Sequence, residues 1–111
     1  MLTIESLKAF GVNTEEGVGR CLGKPDFYLR MVGKALEDTG VDRLDAAIAA
    51  KDYDEAFRCA HSMKGVFANL SLTPILEPVE EITELLRTRT DTDYSALMAR
   101  IKEADIGLKN L

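Results

Sequence analysis

Apolar residues recur every three to four positions along four stretches of this chain, and no segment reads as a convincing strand. That spacing matches the 3.6-residue turn of an α-helix, so each stretch can bury its apolar stripe only against another helix. The stretches are 25–38 joined with 42–50, then 54–70, 74–87 and 93–109. Short connections make neighbours antiparallel, so the expected fold is all-α: an antiparallel four-helix bundle with short additional N-terminal helices. A chain of 111 residues holds one core, and residues 1–111 are expected to form a single domain.

The element boundaries follow from local chemistry. Thr3 can cap a first short helix with Ile4, Leu7 and Phe10 inward, ended by Gly11 and Asn13. Thr14, followed by Glu15 and Glu16, starts a second, which Gly17, Gly19 and Gly23 keep short or irregular. Pro25 suits the first turn of a third helix, because its missing N–H would be unpaired there anyway. Its inward set is Phe27, Leu29, Met31, Val32, Ala35 and Leu36, and Gly40 stops it. Leu44, Ala47 and Ile48 line the next helix, and residues 51–54 read as the turn after it. Thr73 and Pro74 restart the chain as an N-cap and a first-turn proline. Pro78 cannot donate to the carbonyl of Pro74, which predicts a distorted first turn or a later start. Leu76, Val79, Ile82, Leu85 and Leu86 form that helix's apolar set. After a polar loop at 88–92 comes a last helix with Tyr94, Leu97, Met98, Ile101, Ala104 and Leu108 inward.

Charge and cysteine content narrow the function classes. A formal net charge of -5 argues against a nucleic-acid binder. Cys21 and Cys59 lie far apart in apolar-periodic stretches and read as small buried hydrophobes. With one histidine they cannot close a zinc site, and no metal or cofactor site is expected. No segment approaches the roughly 20 apolar residues that span a bilayer, and the N-terminus has no signal-peptide pattern. The expectation is a cytoplasmic protein with no membrane partner, and a monomer is the default state for such a bundle.

The one histidine lies in the stretch 54–70. On a wheel of about 100° per residue centred on Met63, Ala56, Cys59, Ala60, Val66, Phe67 and Leu70 fall within about 60° and form the expected buried stripe. His61 lies about 160° from that centre, facing solvent. Phe57 and Arg58 lie one turn before it, with Lys64, Gly65 and Ala68 one and two turns after. Lys64 puts a cation within reach of anything attached to the imidazole, and Arg58 adds a second on the other flank. Gly65 sits mid-helix, where glycine costs about 0.5–1 kcal/mol relative to alanine; its missing side chain would let another molecule approach the ring. Each residue alone has a plain explanation as a solvated side chain or a packing glycine, but their combination at this spacing is harder to dismiss. Imidazole has a neutral, nucleophilic form near neutral pH, and phosphoryl transfer needs positioning and charge neutralisation more than covalent help. No nucleotide-binding loop appears, so the chain would supply an acceptor and a partner the rest of the active site.

Ala60-His61-Ser62-Met63-Lys64-Gly65, followed by Ala68-Asn69-Leu70, closely resembles the phosphoacceptor motif of histidine-containing phosphotransfer (HPt) domains of multistep His–Asp phosphorelays. The motif there reads Ala-His-x-Leu-Lys-Gly. Residues 47–54, the early segment 11–17 and a Leu/Glu-rich helix after the motif look similar too. The resemblance implies that His61 is phosphorylated through its outward ring nitrogen, that Lys64 steadies the phosphoryl group, and that Gly65 clears space for the receiver domain of a response regulator. Arg58, Phe57, Ser62, Ala68 and Asn69 would be docking-face residues. Implied partners are a receiver domain, which brings its own Mg²⁺, and a sensor or hybrid histidine kinase. Two departures stand out: Met63 replaces the usual Leu, a near volume-conserving change, and Ser71 replaces the usual Gly at the turn after the motif.

The resulting expectation is a phosphocarrier and not an enzyme in the turnover sense. The chain starts at a plausible initiator methionine and holds no ATP-binding half, so a standalone domain is favoured over a piece of a hybrid kinase. Two rivals remain: the phosphoacceptor domain of a chemotaxis-type kinase, and a non-phosphorylated helical adaptor whose histidine is idle.

Overall fold

The computed structural model describes residues 1–111 and contains seven helices: α1 (Ile4–Phe10), α2 (Thr14–Arg20), α3 (Pro25–Glu37), α4 (Val41–Ala49), α5 (Tyr53–Asn69), α6 (Thr73–Arg87) and α7 (Ser95–Lys109). The expected all-α bundle is present. Helix α5 packs between α4 and α6, α6 packs on α7, and α7 closes back on α4. The three N-terminal helices cover one part of this ring, with α1 and α3 both touching α7. A single cluster of 23 buried apolar side chains runs through the molecule, which gives it one continuous core.

The Thr3 cap is as expected, while the caps of α2 and α5 fall on residues expected to end or separate helices. Thr3 and Ser6 close a reciprocal capping box on α1, and Asn13 accepts from the backbone N–H of Glu16 at the start of α2. Asp52 caps α5 by accepting from the N–H of Glu55. Residues 51–54 are therefore only partly a turn, since Tyr53 already belongs to the helix.

The stretches 25–38 and 42–50 are two helices and not one long arm. Gly40 takes a left-handed backbone, φ 88°, which L side chains adopt only with strain. The chain bends there, so α4 alone joins α5, α6 and α7 in the ring while α3 lies across α7.

Other expectations need correction. The N-cap of α6 is Leu72, with Thr73 as its first residue. The helix does not start late: it runs from Thr73 to Arg87 with Pro78 buried inside it. The first turn is tightened, because Ile75 N–H donates to Leu72 O, three residues back, at 3.1 Å. Leu85 is 37% exposed, and Ile75 takes a core place instead. Val66, placed in the buried stripe of α5, is 45% exposed. It lies at the stripe's edge, on the side where α5 borders an open groove with Asp38, Arg43 and Arg58.

The most consequential missed core residue is Tyr28. It is fully buried, and its hydroxyl donates 2.8 Å to Leu70 O at the end of α5. Gly17 packs against this ring so closely that an added Cβ would collide with it. Gly17 therefore serves as a packing glycine as well as shortening α2.

Candidate functional site

Helix α5 carries every residue singled out around the histidine. Asp52 caps its start, and Asp54 and Glu55 complement the positive end of the helix dipole. Ala56, Ala60, Met63 and Phe67 are its buried stripe, and they fix which way the opposite face points.

The turn after the motif holds despite the missing glycine. Ser71 takes the left-handed conformation, φ 54°, that glycine would adopt more cheaply. Its buried hydroxyl donates 2.8 Å to Glu16 Oε1, and its carbonyl accepts from the N–H groups of Asn13 and Thr73. These bonds tie the end of α5 to the start of α2 and offset the strain.

His61 is exposed near the middle of α5. Its one ring partner is Phe57, stacked at 5.7 Å between centroids with an interplanar angle of 27°. Lys64, one turn on, is half-buried and is absent from the chain's ion pairs. Its ammonium is thus uncommitted within 4 Å of any carboxylate. Gly65 is exposed, and a Cβ built on it would meet nothing within 4 Å. Gly17 and Gly107 differ: an added Cβ would collide with the rings of Tyr28 and Phe10. Packing within the chain explains those two glycines and leaves Gly65 unexplained.

The remaining candidates fall on the same side of α5. Ser62 and Asn69 are exposed, and Ala68 and Phe57 are half-buried. Arg58 is exposed but is not the free cation expected. Its guanidinium donates to Glu55 Oε2 at 2.6 and 3.2 Å, which leaves Lys64 as the uncommitted positive charge beside the imidazole. The Arg58 hydrogen bond and charge also hold the Glu55 carboxyl below its usual range. Cys59 is half-buried, and burial, then its contact with Glu55, pushes its thiol up.

Two residues near the site were missed by sequence reading. The Cζ atoms of Arg87 and Arg89 lie 5.3 and 4.7 Å from the centroid of the Phe57 ring. Arg87 is the last residue of α6, which packs beside α5, and Arg89 lies in the turn just after it. The basic pair around Thr88 was visible in the sequence, but nothing there said which helix it would meet. Arg89 Nε also donates 2.7 Å to Asp54, and this bond, followed by the Arg89 charge, lowers the Asp54 carboxyl.

No group of three or more His, Cys, Asp or Glu side chains converges to hold a metal. No helix is long and apolar enough to cross a membrane. The site is an outward imidazole on a rigid helix, with an aromatic support, one uncommitted ammonium and a clearing one turn away. Such a surface can accept a small anionic group from a partner that brings the remaining catalytic groups.

Neither a curated protein nor a solved structure matches the chain. The Hpt domain family matches residues 31–110, which span most of α3 and all of α4 to α7, including His61, Lys64 and Gly65. That family carries a histidine phosphotransfer role in phosphorelays, where its members are phosphocarriers that meet receiver domains and kinases. An outward histidine on a helical bundle, matched over most of its length, leads to one assignment: the chain belongs to the Hpt domain family.

Proposed function

We propose that residues 1–111 act as one phosphocarrier unit and that His61 is its acceptor. A receiver domain carrying an aspartyl phosphate docks over α5. The lone pair of the outward imidazole nitrogen attacks phosphorus, the P–N bond forms, and the P–O bond to the aspartate breaks. The electron pair leaves with the receiver's carboxylate, and the imidazole proton passes to solvent. The reverse sequence hands the group to a second receiver. Mg²⁺ bound by the receiver supplies charge neutralisation during transfer, and no side chain of this chain is assigned to hold it.

Within the carrier, Lys64 neutralises phosphoryl oxygen charge, worth most where docking excludes water. Gly65 leaves room for the receiver's loops. Phe57, Arg58, Ser62, Ala68 and Asn69 form the surrounding docking face. The observation that carries this reading is the pairing of an exposed imidazole with a glycine whose missing side chain faces open space.

The test is transfer from a receiver charged with labelled phosphate and Mg²⁺. Acid-labile, base-stable label on wild type and none on His61→Gln is expected. Label on His61→Gln would place the acceptor elsewhere. No label on wild type from any receiver, with His61→Gln binding partners as well as wild type, would favour the adaptor.

A further inference from the structure

Arg89 is held more rigidly than an exposed arginine needs to be. Its backbone is left-handed, φ 54°, in a turn where glycine would be less strained. Its Nη1 donates to Leu86 O at 3.1 Å and to Arg87 O at 2.9 Å, and its Nε donates to Asp54 Oδ1 at 2.7 Å. The guanidinium is thus fixed both to the last carbonyls of α6 and to the first turn of α5. From there it lies 4.7 Å from the centroid of Phe57, and Phe57 stacks on His61.

The His61 ring forms no hydrogen bond within the chain, so this stack is the contact that orients it. The attacking lone pair lies in the plane of the imidazole. Rotation about χ2 moves that lone pair, and an exposed ring has broad freedom there. A group that limits the rotation raises the fraction of encounters aligned for attack without adding a contact to the partner.

We propose that Arg89 is a positioning residue for transfer at His61: it locks Phe57, and Phe57 sets the plane of the imidazole. This inference rests on His61 as the acceptor. Arg89 forms no hydrogen bond to the imidazole and acts through the intervening ring.

The test compares Arg89→Gly, Phe57→Leu and the double variant with wild type. Glycine suits the left-handed turn, so circular dichroism should show an intact bundle. Single-turnover transfer is measured against receiver concentration. Arg89→Gly should lower the maximal rate by about tenfold with an unchanged half-saturating concentration. The double variant should have the same maximal rate as Phe57→Leu alone. A raised half-saturating concentration with a normal maximal rate would make Arg89 a docking contact and overturn the proposal. Independent, multiplying effects of the two substitutions would overturn it too.

A second readout needs no partner. The chain has one histidine, so its imidazole C–H resonances are uniquely assigned. They sense the ring current of Phe57. Arg89→Gly should shift them toward their positions in Phe57→Leu; unmoved resonances would overturn the proposal. If wild type accepts no label, the acceptor reading falls, and these spectra decide by themselves whether Arg89 positions the ring.

Discussion

The hydroxyl of Tyr28 donates a 2.8 Å hydrogen bond to the carbonyl of Leu70, 42 residues away. Leu70 is the C-cap of α5, where the last carbonyls of a helix have no partner of their own. One buried side chain from α3 therefore finishes the helix that carries His61. Tyr28→Phe leaves that carbonyl unsatisfied and should cost about 1–3 kcal/mol in urea unfolding; an unchanged midpoint would show that the bond adds nothing. Burial, followed by the charge of Cys21, raises the Tyr28 hydroxyl to about 12. The folded state thus keeps its proton where the unfolded chain has lost it. The stability from this group is complete below about pH 10 and falls as pH rises toward 12, by up to about 1.4 kcal/mol per pH unit. Tyr28→Phe should flatten that alkaline slope.

Gly65 and Gly107 should respond oppositely to alanine. The added methyl at 65 meets open space, so Gly65→Ala should stabilise the bundle by about 0.5–1 kcal/mol through helix propensity. At 107 the methyl would collide with the Phe10 ring, and overpacking of that kind costs about 1–3 kcal/mol. Thermal melts check both signs. Gly65→Leu should also stay folded while slowing transfer from the receiver; a normal rate would show that the clearing at 65 has another purpose.

Lys64→Ala should leave the helical circular dichroism intact, since the ammonium has no ion-pair partner within the chain. Transfer should slow by about 10- to 100-fold, the worth of one charge-assisted hydrogen bond to the phosphoryl group. Loss of helix would mean that Lys64 is structural.

Asp105 on α7 is 6% exposed; its Oδ2 accepts from Lys109 at 2.9 Å, while its Oδ1 is buried without a partner. A half-satisfied buried carboxylate adds little net stability, and removing its one partner is worse than removing the group. Asp105→Leu should change unfolding stability by less than about 1 kcal/mol, whereas Lys109→Met should cost about 1–3 kcal/mol. The reverse order in chemical denaturation would show that Oδ1 has a partner in solution.

The bundle and the outward histidine were legible in the sequence because both follow from local rules. Helical periodicity marks a buried stripe, and whatever lies opposite Met63 on α5 must face solvent. His61, Lys64 and Gly65 are neighbours on one helix, so their spacing fixed their proximity before any packing was known. The caps at Thr3, Asn13 and Asp52 all rest on contacts three residues apart, yet only Thr3 reads as a cap from the sequence, because Asn13 and Asp52 also suit the end of the preceding element. Contacts between helices were not. A period of 3.6 gives a stripe's direction but not its edges, so Val66 and Leu85 at the margins fell on the solvent side. Tyr28 has a polar tip, and only the fold supplied the carbonyl that lets it be buried. Arg58 is different: its partner Glu55 lies three residues back on the same helix, so the pair was within reach of the spacing rule and was overlooked. Arg89 reached Phe57 because α6 packs beside α5 and the chain turns through a left-handed residue just beyond the helix. The sequence by itself determined which helix face carries His61, Lys64 and Gly65, since helical geometry is set within four residues. Tertiary structure decided what supports that face, because those partners are dozens of residues away and meet only when the core closes.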